Sequence, residues 1–505
     1  MSSRIVDAPR SAFSGGTGLV VLDGIGLGVE DVVRLAEGSA RAVPGTDAMR
    51  RVAESWDAAR QIAATGRVYG RSTGVGANRN EDVPTEAAAE HGLRLLRSHA
   101  GSIGDELPAR EVRAMLAVRA NQLLAGGAGL RPTVVTALCE ALESGAHPVV
   151  NEFGSVGTGD IAALAQAGLA LAGEHPWRGP GAPKPQSLDN NDALAFISSN
   201  ALTLGQSALA LHELRGLVQA TQVVGALSLL AVDGSHEAYA APVHAARPHR
   251  GSSEVARRMR ELIGAADRPT PPLGRIQDPY GFRCLPQIHG PALDAADALE
   301  EIVAIEINAA AENPLISPED MAAYHHGGFY QAQLALALDH FRLALTQVAR
   351  LSTSRLSTLN EPAFTRLRPF LADDEPASSG VMILEYAAGA ALGDLRAFSA
   401  PASLGHAVLS RGVEEQASFA SLAARQTLRA CRAYRLVVGC ELVAAVRALR
   451  QRDLRPDPEL PVGRAQELAE SVLAEEQADR PLTDDVTAAA ALLDRFTEIW
   501  RGSGT

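Results

Sequence analysis

The sequence predicts a mainly α-helical fold, and two observations carry that expectation. Hydrophobic residues make up 46% of the 505 residues, with alanine and leucine abundant and aromatics only 4%. Such a composition favours helix on helix over sheet on sheet. In addition, three stretches, 201–232, 286–313 and 331–359, read as long helices, each well beyond the usual three turns. At ~1.5 Å per residue the first alone spans about 45 Å. No repeat array, coiled-coil heptad or low-complexity tract is present.

Residues 1–30 are short apolar runs broken by glycine, such as Gly18-Leu-Val-Val-Leu22, and suit a small strand or hairpin. Residues 29–64 read as helix, interrupted at Pro44-Gly45. Val68-Tyr-Gly-Arg-Ser-Thr-Gly-Val-Gly76 is a glycine-rich loop without the Gly-Lys-Ser/Thr ending of a phosphate loop. Taken alone, Tyr69-Gly70 suits a turn with a packed ring. His99 suits a helix end or a satisfied core position. Residues 112–124 read as an amphipathic helix, Arg131-Pro132 opens another, and 147–150 lead into a second glycine-rich loop. That loop, Gly154-Ser-Val-Gly-Thr-Gly-Asp160, has three glycines in its first six residues, which neither a helix nor a strand prefers. A small-residue apolar helix follows at 161–172. The loop is therefore either a plain tight turn or a place where backbone approaches a ligand.

Residues 173–190, rich in Gly, Pro and Asn, read as an exposed loop. Arg275-Ile-Gln-Asp-Pro-Tyr-Gly-Phe-Arg-Cys-Leu-Pro-Gln-Ile-His-Gly290 carries a turn at Asp278-Pro279. Tyr280 and Arg283 share one face if a helical turn follows. A phenol beside a guanidinium suits a fork onto a carboxylate; a surface Arg–Asp turn is the alternative. Adjacent His325 and His326 point opposite ways on any regular element, so no metal site is read there. Glu414, alone, suits a solvated helix-cap acid. The tail from Arg455 is acidic and helical, broken at Pro456, Pro458, Pro461 and Pro481, and reads as a peripheral cover.

The formal charge of -13 argues against nucleic-acid and anionic-membrane partners. Cys139, Cys284, Cys431 and Cys440 lack metal-ligand spacing, and a reduced cytoplasmic protein is the natural reading. The opening Met1-Ser-Ser-Arg-Ile-Val-Asp-Ala-Pro9 has no apolar core of signal-peptide length. The most lipid-like stretch, 216–232, carries Gln219, Thr221, Gln222 and Ser228 between Arg215 and Asp233, which predicts a helix buried in protein rather than a membrane span.

In this order the motifs resemble the histidine/phenylalanine ammonia-lyase family, the aromatic amino acid lyases that depend on methylidene-imidazolone (MIO), over roughly residues 20–450. Residues 68–76 stand for the family's Tyr-Gly-x-Asn-Thr-Gly-Phe-Gly. Residues 275–290 stand for Arg-Val-Gln-Asp-Pro-Tyr-Ser-Leu-Arg-Cys-x-Pro-Gln-Val-His-Gly, and 412–418 for Gly-Gln-Glu-Asp-His-Val-Ser, with Glu414 as in histidine-using members. Residues 154–160 stand for Gly-Ser-Val-Gly-Ala-Ser-Gly-Asp. There the family's Ala-Ser-Gly cyclises and dehydrates into an electrophile; here the loop is one residue shorter and reads Gly157-Thr158-Gly159. The family's Gly-Asn-Phe-His-Gly-Glu-Pro survives only at Gly327 and Phe329.

The resemblance implies a central bundle of long helices with a smaller N-terminal, loop-rich helical region. It also implies a homotetramer whose sites draw on several subunits. Residues 1–200 would form the N-terminal region, 201–450 the bundle and 451–505 a helical cover. Tyr69 would be the base. Arg283 would hold a substrate carboxylate, with Tyr280 and Gln277 near the electrophile. His99, Phe329 and Glu414 would shape the side-chain pocket. Ser198 takes the place of an asparagine that helps hold the substrate, and Asn200 lies two residues on. The partner is a small amino-acid-like substrate, with no metal and no dissociable cofactor.

Three readings remain open. Gly157-Thr158-Gly159 forms a methyl-substituted methylidene-imidazolone, giving an ammonia-lyase or aminomutase. Or no electrophile forms, and the pocket runs an elimination or addition on an already activated substrate. Or the chain is a catalytically silent binding or regulatory homologue, which the retained Tyr69, Tyr280, Arg283 and Glu414 argue against.

Overall fold

Almost every residue of the Ala201–Ala231 helix is buried, so protein meets it on all sides. In this computed structural model, which describes residues 18–270 and 275–502, it is the axis of a helix bundle. Ala420–Gln451 packs along it, Ala332–Leu359 packs on Ala420–Gln451, and Leu285–Glu306 packs on Ala332–Leu359. The Ala193–Ala231 segment contains a stretch apolar enough to cross a membrane, but 89% of that window is buried inside the protein. Its polar side chains are paired across the bundle. Thr221 shares a hydrogen bond with the Tyr434 hydroxyl at 2.9 Å, and Ser228 donates to Glu441 at 2.7 Å. The opening Met1–Pro9, read above for a signal peptide, lies outside the described residues.

Most expected helices are present, with informative differences. The second long helix ends at Glu306 rather than at 313. Asn308 is captured instead by distant partners: its amide donates to the Leu27 carbonyl at 2.9 Å, and its Oδ1 accepts from Leu27 N at 3.0 Å and from Asn121 at 2.8 Å. These tertiary bonds replace the next helical turn. Residues 112–124 are not amphipathic in use; all of them are buried. Arg119 there donates to the Phe196 carbonyl at 2.9 Å and pairs with buried Glu312 at 2.8 Å, which makes a charge tolerable inside. Gly18–Leu22 is a strand, but it pairs in parallel with Ala40–Pro44 across the Val29–Glu37 helix, not as a hairpin. The tail does more than cover. Trp500 donates to Gln222 at 3.0 Å and Thr497 to the Gly216 carbonyl at 2.8 Å, so the last helix joins the core.

Candidate active site

Five of the candidate positions, Tyr69, Asn200, Phe329, Glu414 and the 157–159 loop, are linked by a closed circuit of contacts and short chain segments. Tyr69 opens it. Its hydroxyl accepts the Gly76 N–H at 2.7 Å, and its backbone N–H points at His325 Nε2 at 3.4 Å. The two rings meet edge to face at 6.4 Å. From His325 the chain runs to Phe329, whose carbonyl accepts from Asn200 Nδ2 at 2.7 Å. The neighbouring Ser199 carbonyl accepts Asp160 N–H at 2.7 Å, at the end of the Gly157-Thr158-Gly159 loop. The loop's far side is held by Ser418, which donates to the Gly157 carbonyl at 2.8 Å. Glu414 lies four residues back, in a backbone bridge with Leu409; it is not a helix cap. Ser410, inside that bridge, accepts Ala77 N–H at 3.0 Å and returns the circuit to the Tyr69 loop.

The electrostatics follow from this enclosure. Burial raises the Tyr69 phenol pKa, the Gly76 N–H pulls it down, and the Glu414 charge pushes it up again. The resting side chain is a neutral phenol with one donor already aimed at its oxygen. Asp160 is fully buried, and burial raises its carboxyl pKa against the lowering pull of hydrogen bonds led by Thr203 N–H at 2.7 Å and Thr203 Oγ1 at 2.9 Å, with Ser155 and Leu202 after them. These bonds tie the end of the loop to the first turn of the bundle axis. Thr158 at the apex is half-buried.

The structure also separates Ser198 from Asn200. Ser198 Oγ is occupied by the Asn313 N–H at 3.0 Å. Asn200 keeps its Oδ1 buried and without a partner, so it is the better placed of the two to meet a ligand. His99 closes its helix, with Nδ1 at 2.9 Å from the Leu95 carbonyl. Its neighbour Ser102 abuts the loop: a Cβ at Gly154 would lie 2.2 Å from Ser102 Oγ. His325 and His326 diverge; His326 Nε2 lies 2.8 Å from the Glu312 carbonyl.

Tyr280 and Arg283 stand apart. They form the expected helical turn, Tyr280–Arg283, with the guanidinium 4.4 Å over the Tyr280 ring. Tyr280 is 66% exposed, Gln277 is exposed, and Arg283 Nε is buried without a partner. Among the described residues no hydrogen bond, ion pair or ring contact joins this turn to the Tyr69 circuit. A separate cavity behind the loop, lined by Glu111, Glu152, Arg425 and Arg429, holds none of the candidate residues. Ser155, Ser410 and Ser418 were not singled out from the sequence. Ser418 ends a matched motif, whereas Ser410 has no sequence signal.

Comparison with known proteins gives the family and the fold. The family profile described as "Aromatic amino acid lyase" matches residues 27–474. A histidine ammonia-lyase of Geobacillus thermodenitrificans is 32% identical over 494 residues, covering 94% of this chain and 97% of that protein. Among solved structures, the ergothioneine-degrading ergothionase of Treponema denticola, in complex with desmethyl-ergothioneine sulfonic acid, superposes with a TM-score of 0.88 at 26% identity. It covers 95% of this chain and 99% of its own. Tyrosine aminomutase of Streptomyces globisporus gives 0.89 at 26% identity, with 95% and 98% covered.

Proposed function

The chain belongs to the aromatic amino acid lyase family, an enzyme family of carbon–nitrogen lyases, and on that premise we propose that it eliminates an amine from an amino-acid-like substrate through Tyr69 and a modified Gly157-Thr158-Gly159 loop. The observation that supports this reading is the closed series of hydrogen bonds and short chain segments that links the Tyr69 loop to the Gly157-Thr158-Gly159 loop. Ring closure of the loop needs a polarised carbonyl on its first residue. The residues fit that need, because the Gly157 carbonyl accepts the Ser418 hydroxyl. When formed, such a ring supplies an electrophile that captures the amine and makes it a leaving group.

The chain's own residues do the rest. Tyr69 removes the β-proton, with the Gly76 N–H favouring the phenolate as it forms. Asn200 Oδ1 offers an acceptor to the bound substrate. Arg283 forks onto the carboxylate, and its distance from the circuit is met by a second copy in a homotetramer. Exposed apolar side chains such as Leu336, Ile383 and Leu404 supply surface for that assembly. Light scattering that finds an active monomer refutes it. The occupied Ser198 and the rewritten 328–333 segment favour a side chain other than that of histidine.

A second reading is favoured by the shortened loop and by the likeness to the ergothionase. Ergothioneine carries a trimethylated nitrogen, which leaves as a neutral amine without prior capture. On this reading Tyr69 acts alone on a betaine. Intact mass separates the two: a loss of two waters, about 36 Da, supports the first. An unshifted mass with an active Thr158→Ala supports the second.

A further inference from the structure

Resting on the first of these readings, we propose that Ser418 is the proton donor that matures the loop. Its hydroxyl serves the carbonyl that ring closure attacks.

Ser418 is 5% exposed, and its Oγ donates to the Gly157 carbonyl at 2.8 Å. The contact is forced by packing. Gly157 has φ +88°, and a Cβ there would lie 2.2 Å from Ser418 Oγ and 2.7 Å from Phe419 N, so only glycine fits. The Ala420 N–H, in the first turn of the Ala420–Gln451 helix, points at the same Oγ at 3.3 Å. A hydroxyl that accepts from an amide is a stronger donor through its own proton. The helix N-terminus also favours negative charge on the oxygen beyond.

Other bonds shape the loop for closure. Ser155 Oγ accepts the Gly157 N–H at 3.1 Å and donates to the Gly159 carbonyl at 3.1 Å, drawing residues 157 and 159 around Thr158. Phe419 N–H on the Val156 carbonyl at 2.8 Å and Ser421 Oγ on the Ser155 carbonyl at 2.9 Å fix the loop to the helix start.

The step balances without a co-reactant. The Gly159 nitrogen attacks the Gly157 carbonyl carbon, and the N–C bond forms as the carbonyl pair moves to oxygen. That oxygen takes the Ser418 proton, and the Gly159 N–H proton returns to Ser418. The new hydroxyl leaves as water with the Thr158 amide proton, making C=N. Thr158 then loses its Cα–H and its hydroxyl as a second water. Nothing is oxidised or reduced.

Intact-mass measurement of purified chains tests the proposal. Wild type is expected about 36 Da light and Thr158→Ala, which can close and lose the first water but has no hydroxyl to lose as the second, about 18 Da light. Ser418→Ala and Ser418→Ala/Thr158→Ala are expected unshifted in at least nine molecules of ten. Circular dichroism and oligomer size matching wild type show that the fold is kept. Full water loss in Ser418→Ala overturns the proposal and leaves the lyase reading standing. An unshifted wild type overturns both. If Ser418→Ala cannot be purified, Ser418→Cys keeps the volume with a weaker donor. Slower loss than wild type there supports the proposal, and equally fast loss overturns it.

Discussion

Arg355→Met is expected to cost about 4 kcal/mol of stability and to raise the KM for a carboxylate substrate, although Arg355 is placed to touch none. Arg355 and Glu441 are both fully buried, with Nε to Oε1 at 2.6 Å and Nη2 to Oε2 at 2.8 Å. Methionine leaves the Glu441 carboxylate unpaired inside the bundle, and breaking such a pair costs about 3–5 kcal/mol. Glu441 keeps one donor on each oxygen, Ser228 at 2.7 Å and Ser352 at 2.6 Å, which places the loss near the lower end, at about 3 kcal/mol. The third nitrogen, Nη1, donates to the Gly281 carbonyl at 3.3 Å, and losing that bond adds about 1 kcal/mol. The same bond supports the Tyr280–Arg283 turn, so the turn loosens and carboxylate binding weakens. Urea unfolding followed by circular dichroism reads the stability, and steady-state kinetics reads KM. Arg355→Met/Glu441→Leu should recover stability to within about 1 kcal/mol of wild type, since removing both charges removes the desolvation cost. The KM defect should remain. An unchanged midpoint in the single variant, or a double variant weaker than the single, refutes the reasoning.

Glu414→Gln removes a charge that raises the Tyr69 phenol pKa; the rising limb of the pH–rate profile should move to lower pH, Tyr69→Phe should abolish turnover, and an unmoved limb contradicts the base role. Arg283→Lys should cost about 1.5–3 kcal/mol in kcat/KM by losing one charged hydrogen bond of a fork; unchanged kcat/KM for a carboxylate substrate rules that role out. His289 is fully buried with both ring nitrogens unpartnered, and burial, with Arg355 second, holds its pKa well below the ordinary value. A depressed folded pKa means the unfolded chain binds the proton first. Stability should therefore be intact above about pH 6.5 and fall below it by at most about 1.4 kcal/mol per pH unit. His289→Met should flatten that slope in urea titrations at successive pH values, and an unaltered slope assigns the effect elsewhere.

What the sequence by itself determined is what few neighbouring residues encode. The long helices at Ala201–Ala231 and Ala332–Leu359 follow from proline-free stretches rich in alanine and leucine, and the Tyr280–Arg283 turn from Asp278-Pro279 just before it. The ordered motifs carried the family and the candidate residues. Tertiary structure alone decided where helices stop and which polar atoms are spent. The Leu285–Glu306 helix ends because Asn308 finds Leu27 and Asn121, far away along the chain. Ser198 and Asn200 lie two residues apart, and nothing in the sequence says which is spent; the backbone of Asn313 occupies the Ser198 hydroxyl, while Asn200 Oδ1 has no partner. Ser418 meets Gly157 across 261 positions. Such pairings exist only once the bundle has closed, because loop-closure entropy sets them against every competing partner until burial selects one.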